Sequence, residues 1–231
     1  MQRGSQGKKP VVVLKAGRTA AGQAAAHSHT ASLAGNYEAH EAIFRQYGFT
    51  IAEDLSDLLN FAKILDSEPF PKGNSVGVIT NGGGAGVLVA DAIGISESLV
   101  LGGFSSKSAE FLRKSMPSLV NIRNPLDLAG DADGGRYDEA LQVMGSDDNI
   151  DMILAIILFQ TPGADSKTAA KAISFKEKIT KPMIVLSIGS GYTEMHKIMM
   201  ESAGLPVYGS PAAAVRSLAE LLKYANYRHK K

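Results

Sequence analysis

Two of the five histidines in this 231-residue chain, His27 and His29, sit one residue apart in AAAHSHTASLAG, residues 24 to 35. Imidazoles set among Ala, Ser, Thr and Gly have three readings. A metal pair needs further ligands, and the stretch has no acidic cluster and the chain no cysteine. A plain surface loop is the second reading. In the third, one neutral imidazole nitrogen is a nucleophile, and its small neighbours leave room for a phosphoryl or acyl group to approach.

Three other stretches carry residue types that do chemistry. In TNGGGAG, residues 80 to 86, Asn81, Gly82, Gly83, Gly84, Ala85 and Gly86 stand between an apolar run and a helical pattern. Glycines at such a turn let backbone N–H groups approach an anion, and the helix dipole adds attraction. A GxGxxG frame begun at Gly82 meets Val87 where glycine is required, and no GxxxxGK[ST] occurs. What remains is a phosphate-sized anion site without a nucleotide signature, or simply a tight turn with close helix packing. NPLDLAGDADGGRY, residues 124 to 137, gathers Asp127, Asp131 and Asp133, which suit either magnesium or the capping of a helix from Arg136. SIGSGYTEMH, residues 187 to 196, puts two glycines after an apolar run, where ligands bind in open α/β sheets. His196, His40 and His229 read as structural.

Composition narrows the classes. Lys plus Arg is 24 against 23 for Asp plus Glu, so no basic stripe favours nucleic acid. The absence of cysteine excludes disulfides, thiolate metal sites and cysteine nucleophiles, and fits a cytoplasmic setting. No apolar run approaches the roughly 20 residues of a membrane helix, so no membrane partner is expected.

The elements that must hold these sites alternate. KPVVVL, residues 9 to 14, reads as a buried parallel strand. A small-residue loop of about 20 residues, long for an α/β unit, follows and holds the histidines; its AAGQAAAHS part is compatible with helix. Asn36 caps a helix to Tyr47 with Gly48 as its stop. A short strand over 49 to 52, a helix over 54 to 65 and the linker DSEPFPKGNS complete this part. Strands then read over 76 to 80, 98 to 101, 152 to 158, 182 to 188 and 206 to 208. Helices read over 86 to 93, 109 to 116, 136 to 144, 165 to 179, 192 to 203 and 211 to 226. The expected fold is α/β, with a flavodoxin-like parallel sheet over residues 73 to 231 as one complete domain. Residues 1 to 70 hold too few strands for a comparable domain and read as the C-terminal part of a second one.

Taken together, KPVVVLKAGRTAAGQAAAHSHTASLAG, VGVITNGGGAGVLVADA and NPLDLAGDA before RY resemble the ADP-forming acyl-CoA synthetases, relatives of succinyl-CoA synthetase. The segments occur in the family's order and spacing, and SHTxxLAG after KxGR is specific; Ala31 replaces the commoner glycine. The resemblance implies an acid-thiol ligase reaction, acyl-CoA plus ADP plus phosphate giving acid, CoA and ATP. It implies that His29, not His27, is phosphorylated in turnover, and that the TNGGGAG helix faces the phosphohistidine. It also implies an ATP-grasp (beta-type) subunit or domain and a CoA-binding domain as partners in an oligomer. Mg²⁺ and ADP or ATP would be bound mainly by those domains, with CoA as a substrate. The chain is then expected to be the C-terminal part of an alpha-type subunit. The alternative is a non-catalytic regulatory or assembly module derived from the family, against which the retained His29 argues.

Overall fold

A computed structural model describes residues 9–30 and 36–229, without the side chains of His29 and Thr30. The chain divides into two compact units, Met1–Asp66 with Lys223–Lys231, and Ser67–Leu222.

In the first unit, β1 (Val12–Leu14) pairs in parallel with β2 (Thr50–Ala52), Val12 opposite Thr50. The intervening residues hold α1 (Ala20–Thr30) and α2 (Tyr37–Gln46), and α3 (Leu55–Ser67) follows β2. Here the expected small-residue loop is corrected: the backbone is helical through His29 to Thr30. Alanine has the highest helix propensity, and five of the eleven residues of α1 are alanine. None of the α1 side chains described is buried, so intrinsic propensity rather than an apolar stripe accounts for the helix. The capping of α2 is as expected: Asn36 Oδ1 accepts from the Ala39 N–H at 2.9 Å. Gly48 then turns the chain at φ +70°, and the Tyr227 ring lies where a side chain on Gly48 would stand.

The second unit opens with β3 (Ser75–Thr80), α4 (Gly83–Ile95), β4 (Val100–Leu101) and α5 (Ser106–Ser115). It continues through β5 (Leu126–Asp127), α6 (Gly134–Ser146), β6 (Met152–Ile156), α7 (Ser166–Lys176) and β7 (Met183–Leu186). The last elements are α8 (Tyr192–Ser202), β8 (Val207–Tyr208) and α9 (Pro211–His229), the end of which, from Lys223, belongs to the first unit. All pairings are parallel, in the order β4-β3-β6-β7-β8. With β5 set aside, this is the doubly wound flavodoxin order, with its switch point between β3 and β6. Strands covered on both faces are apolar throughout, and β6 and β7 are buried at every position. Leu112 on α5, Tyr137, Leu141 and Met144 on α6, and Leu128 after β5 belong to one buried apolar cluster with the strands.

Strand β5 has no counterpart in the sequence reading, where NPLDL is a loop. Its two residues pair with Ile79 and Thr80 at the end of β3, while β4 pairs with Ser75 and Val76 at the start. Since β6 runs along Val76 to Thr80, β4 and β5 share the other side of β3. The Asn124 side chain bridges the gap between them. Its Oδ1 accepts from the Val78 N–H at 2.9 Å, and its Nδ2 donates to the carbonyls of Val76 and Gly102, both at 2.7 Å. An alanine would leave the Val78 N–H inside the sheet without an acceptor. We expect Asn124→Ala to lower the unfolding free energy by about 2–3 kcal/mol in urea denaturation; a loss below about 0.5 kcal/mol would show that water replaces the amide.

Candidate functional site

The carboxyl ends of β3 and β6 meet at the switch point, where crevices in such sheets open. Asn81 clamps them. Its Oδ1 accepts from the Leu158 N–H at 2.9 Å, and its Nδ2 donates to the Leu158 carbonyl at 3.1 Å and to Thr161 Oγ1 at 2.8 Å. The side chain is buried and fully engaged, so Asn81 shapes the turn and does not offer its amide to a ligand. Beneath it, the Tyr137 hydroxyl donates to the Ile156 carbonyl at 2.5 Å. Burial holds this phenol well above its ordinary pKa, partly offset by a hydrogen bond from the Asn81 backbone. In the sequence Tyr137 stands only as a helix residue closing NPLDLAGDADGGRY, with no sign of this contact.

The turn from β3 into α4 is built by Thr80 and Gly82. Thr80 Oγ1 accepts from the Gly82 N–H and donates to the Gly82 carbonyl, both at 2.9 Å. That carbonyl also accepts from the N–H groups of Ala85 and Gly86, at 3.0 and 3.2 Å. The helix therefore starts at Gly83, three residues earlier than expected, and its first turn is the glycine run itself. Among the described residues, the N–H groups of Gly83 and Gly84 have no acceptor, as the first groups of a helix do not. Both residues are exposed.

The glycines differ in what excludes a side chain. A Cβ on Gly82 would stand 2.5 Å from Leu158 Cδ1, one on Gly83 2.7 Å from Asp127 Oδ2, and one on Gly86 3.1 Å from Thr80 Cγ2. Around Gly84 the space is open. Two unpaired N–H groups at the positive end of a 13-residue helix form an arrangement able to hold an anion. Of the six residues singled out in the sequence, Gly83 and Gly84 thus supply the free donors, and the other four build the turn.

The three aspartates are engaged separately. Asp127 Oδ1 accepts from the Ala129 N–H at 2.9 Å. Asp131 takes the Arg136 guanidinium at 2.8 Å, and that hydrogen bond holds its carboxyl below the usual range. Asp133 caps α6 by accepting from the Arg136 N–H at 3.0 Å. Among the described residues, no group of three acidic or histidine side chains is placed to hold a metal ion. Gly189 and Gly191, in the loop after β7, both take positive φ, and His196 is buried on α8.

In the first unit, His27 is exposed on α1. His29 lies on the same helix, and its side chain, like residues Ala31 to Gly35 of the motif, is outside the described residues. At the carboxyl ends of β1 and β2, Lys15, Arg18, Thr19 and Glu53 line an open crevice of about 710 Å³. Gly17 turns there at φ +86°, and Arg18 pairs with Glu53 at 3.5 Å. Among the described residues no helix is long and apolar enough to cross a membrane.

Fold and motifs together are similar to proteins of the succinyl-CoA synthetase type, and residues 1–65 match the family described as succinyl-CoA ligase like flavodoxin domain. Within that class the chain is related to the ADP-forming acyl-CoA synthetases. It is 35% identical over 224 residues to the alpha subunit of acetate–CoA ligase (ADP-forming) II of Pyrococcus furiosus, covering 94% of this chain and 48% of the relative. It is also 35% identical to acetate–CoA ligase (ADP-forming) I of Archaeoglobus fulgidus, covering 94% of this chain and 30% of that protein. Among solved structures it resembles the dinucleotide-forming acetyl-coenzyme A synthetase 1 of Ca. Korarchaeum cryptofilum, in complex with phosphate and ADP. There the TM-score is 0.85 at 27% identity, over 96% of this chain and 48% of that one. The chain thus spans about half the length of the matched alpha subunit, and less of the Archaeoglobus protein.

Proposed function

We propose that this chain carries the phosphohistidine relay of an ADP-forming acyl-CoA (acetate–CoA) ligase. In the reaction, phosphate displaces CoA from the acyl group to give an acyl phosphate. The His29 imidazole takes the phosphoryl group, releasing the free acid, and passes it to ADP to give ATP. The free N–H groups of Gly83 and Gly84 are the phosphate-binding groups of the second unit. Catalysis of this kind is positioning plus charge stabilisation, and backbone N–H groups at a helix end supply the second without a competing proton. The observation that carries the reading is this pair of unpaired, exposed N–H groups at the switch point, in a chain that keeps SHT after KxGR.

CoA and nucleotide binding fall to a CoA-binding domain and an ATP-grasp domain or subunit. Asp127 is held by the Ala129 N–H, and Asp131 and Asp133 by the Arg136 guanidinium and N–H, so magnesium is assigned to the nucleotide side and no step here runs through it.

The test mixes the chain with CoA-binding and ATP-grasp polypeptides of a relative, Mg²⁺ and ATP labelled on its γ-phosphate. The expected product is an acid-labile, base-stable phosphoprotein that His29→Ala abolishes and His27→Ala retains. Label that persisted without His29, or that never formed with partners shown to be active with their own alpha subunit, would leave the regulatory-module reading in its place.

A further inference from the structure

A hydroxyl and an imidazole meet at the same edge of the sheet, away from the glycine turn. Ser166 is the first residue of α7 and His196 lies one turn into α8. Ser166 Oγ stands 3.0 Å from His196 Nε2, and His196 Nδ1 stands 2.8 Å from the Tyr192 carbonyl. That carbonyl can only accept, so in the neutral ring Nδ1 carries the proton and Nε2 presents a lone pair. The Ser166 hydroxyl must then be the donor. A nucleophile hydrogen-bonded to a base, with the base oriented by a third group, is the pattern of an activated serine.

The surroundings fix the pair. The imidazole is 4% exposed. It stacks on Phe159 at 4.1 Å between ring centroids and meets the Tyr192 ring edge-on at 4.5 Å. Gln160, next to Phe159, donates to the Ile188 carbonyl at 2.5 Å and so ties the two loops that flank the pair. Ser166 itself is exposed. Asp165 takes the N–H groups of Lys167 and Thr168, while the Ser166 N–H has no acceptor among the described residues. One backbone donor at the positive end of α7 is therefore left for a developing oxyanion.

We propose that Ser166 and His196 form a nucleophilic pair that accepts an acyl group from activated acyl donors such as aryl esters. Ser166 Oγ bonds to the acyl carbon as its proton passes to Nε2. The adduct collapses by breaking the bond to the leaving oxygen, which departs with the electron pair and recovers that proton. The product is an acyl-serine ester, and the step is independent of the histidine relay.

The test treats the full chain with p-nitrophenyl acetate, following nitrophenolate release and locating the acetyl group by peptide mass mapping. Acetyl is expected on Ser166. Its formation falls about a hundredfold, the scale of a lost general base, in His196→Gln and vanishes in Ser166→Ala. Acetyl found on lysines alone, or an unaltered burst in Ser166→Ala, overturns the proposal. Mapping the unsubstituted chain needs no variant, so it decides the matter even where His196→Gln fails to fold.

Discussion

Lys176→Met is expected to lose about 3–5 kcal/mol of stability at pH 8, in urea denaturation followed by circular dichroism. Lys176 Nζ reaches both carboxylate oxygens of Glu68 at 2.5 Å, and Glu68 Oε2 also accepts from the Met183 N–H at 2.8 Å. The Glu68 side chain is wholly buried and that of Lys176 is 12% exposed. Methionine would fill the space of the lysine but leave a buried carboxylate with one backbone partner. The double variant with Glu68→Gln removes both charges, and it is expected to regain most of the loss.

The same pair sets a pH dependence whose sign can be stated. Burial is the largest influence on Glu68 and pushes its pKa from 4.5 up to about 7, against the charge and hydrogen bond of Lys176 and the Met183 N–H. The folded chain therefore binds this proton more tightly than the unfolded chain. The contribution is fully present below pH 4.5 and is lost as pH rises through about 7. At about 1.4 kcal/mol for each pH unit between these values, the span is of order 3 kcal/mol. The stability difference between the unsubstituted chain and Glu68→Gln should accordingly shrink from pH 5 to pH 8. A difference that grew instead would mean that the attraction of Lys176 outweighs burial.

The second expected result joins two effects of opposite sign. Gly84→Asp should fold and melt higher, because nothing lies within 4 Å of a Cβ there. An acid in a first helical turn adds about 0.3–1 kcal/mol, and replacing a helical glycine adds a comparable amount. Inorganic phosphate, titrated against the chain with ³¹P NMR detection, should bind at least about tenfold more weakly to the variant. A carboxylate a few ångströms from the phosphate costs about 1.4 kcal/mol or more at the effective dielectric of a protein surface. Gly84→Ala should gain stability with a smaller loss of phosphate, since it shields the N–H groups without adding charge. Unchanged phosphate affinity in Gly84→Asp would remove the glycine turn from the proposed relay.

What the sequence made legible follows from how local each signal is. The strands at 76 to 80, 152 to 156 and 183 to 186 are continuous apolar runs, and their alternation with helices carries the flavodoxin order. Asn36 and Asp133 announced their helices because a cap needs only a neighbour three residues on. Helix α1 was legible only in part, since Ala, Ser and Gly give no apolar period. The start of α4 was hidden because three glycines read as a turn and not as a first helical turn. The two residues of β5 are too few to alternate. Contacts that decide the site carry no local trace. Asn81 meets Leu158 across 77 residues, and Glu68 meets Lys176 across 108. KxGR and SHTxxLAG were legible as motifs, but motifs name a chemistry without placing its atoms.

The bridging amide of Asn124 bears on solubility. Exposed strand edges offer rows of unpaired N–H and carbonyl groups on which other chains assemble, and very short edge strands blunt that risk. On one side of β3 the sheet ends in two separate steps of two residues each, spliced by a side chain; on the far side it ends in β8, also two residues long. Neither border offers the run of backbone groups that a foreign strand would need to zip onto. A sheet whose middle is almost wholly apolar is thus closed to stacking edge on edge, and Asn124 keeps one of its borders both filled and interrupted.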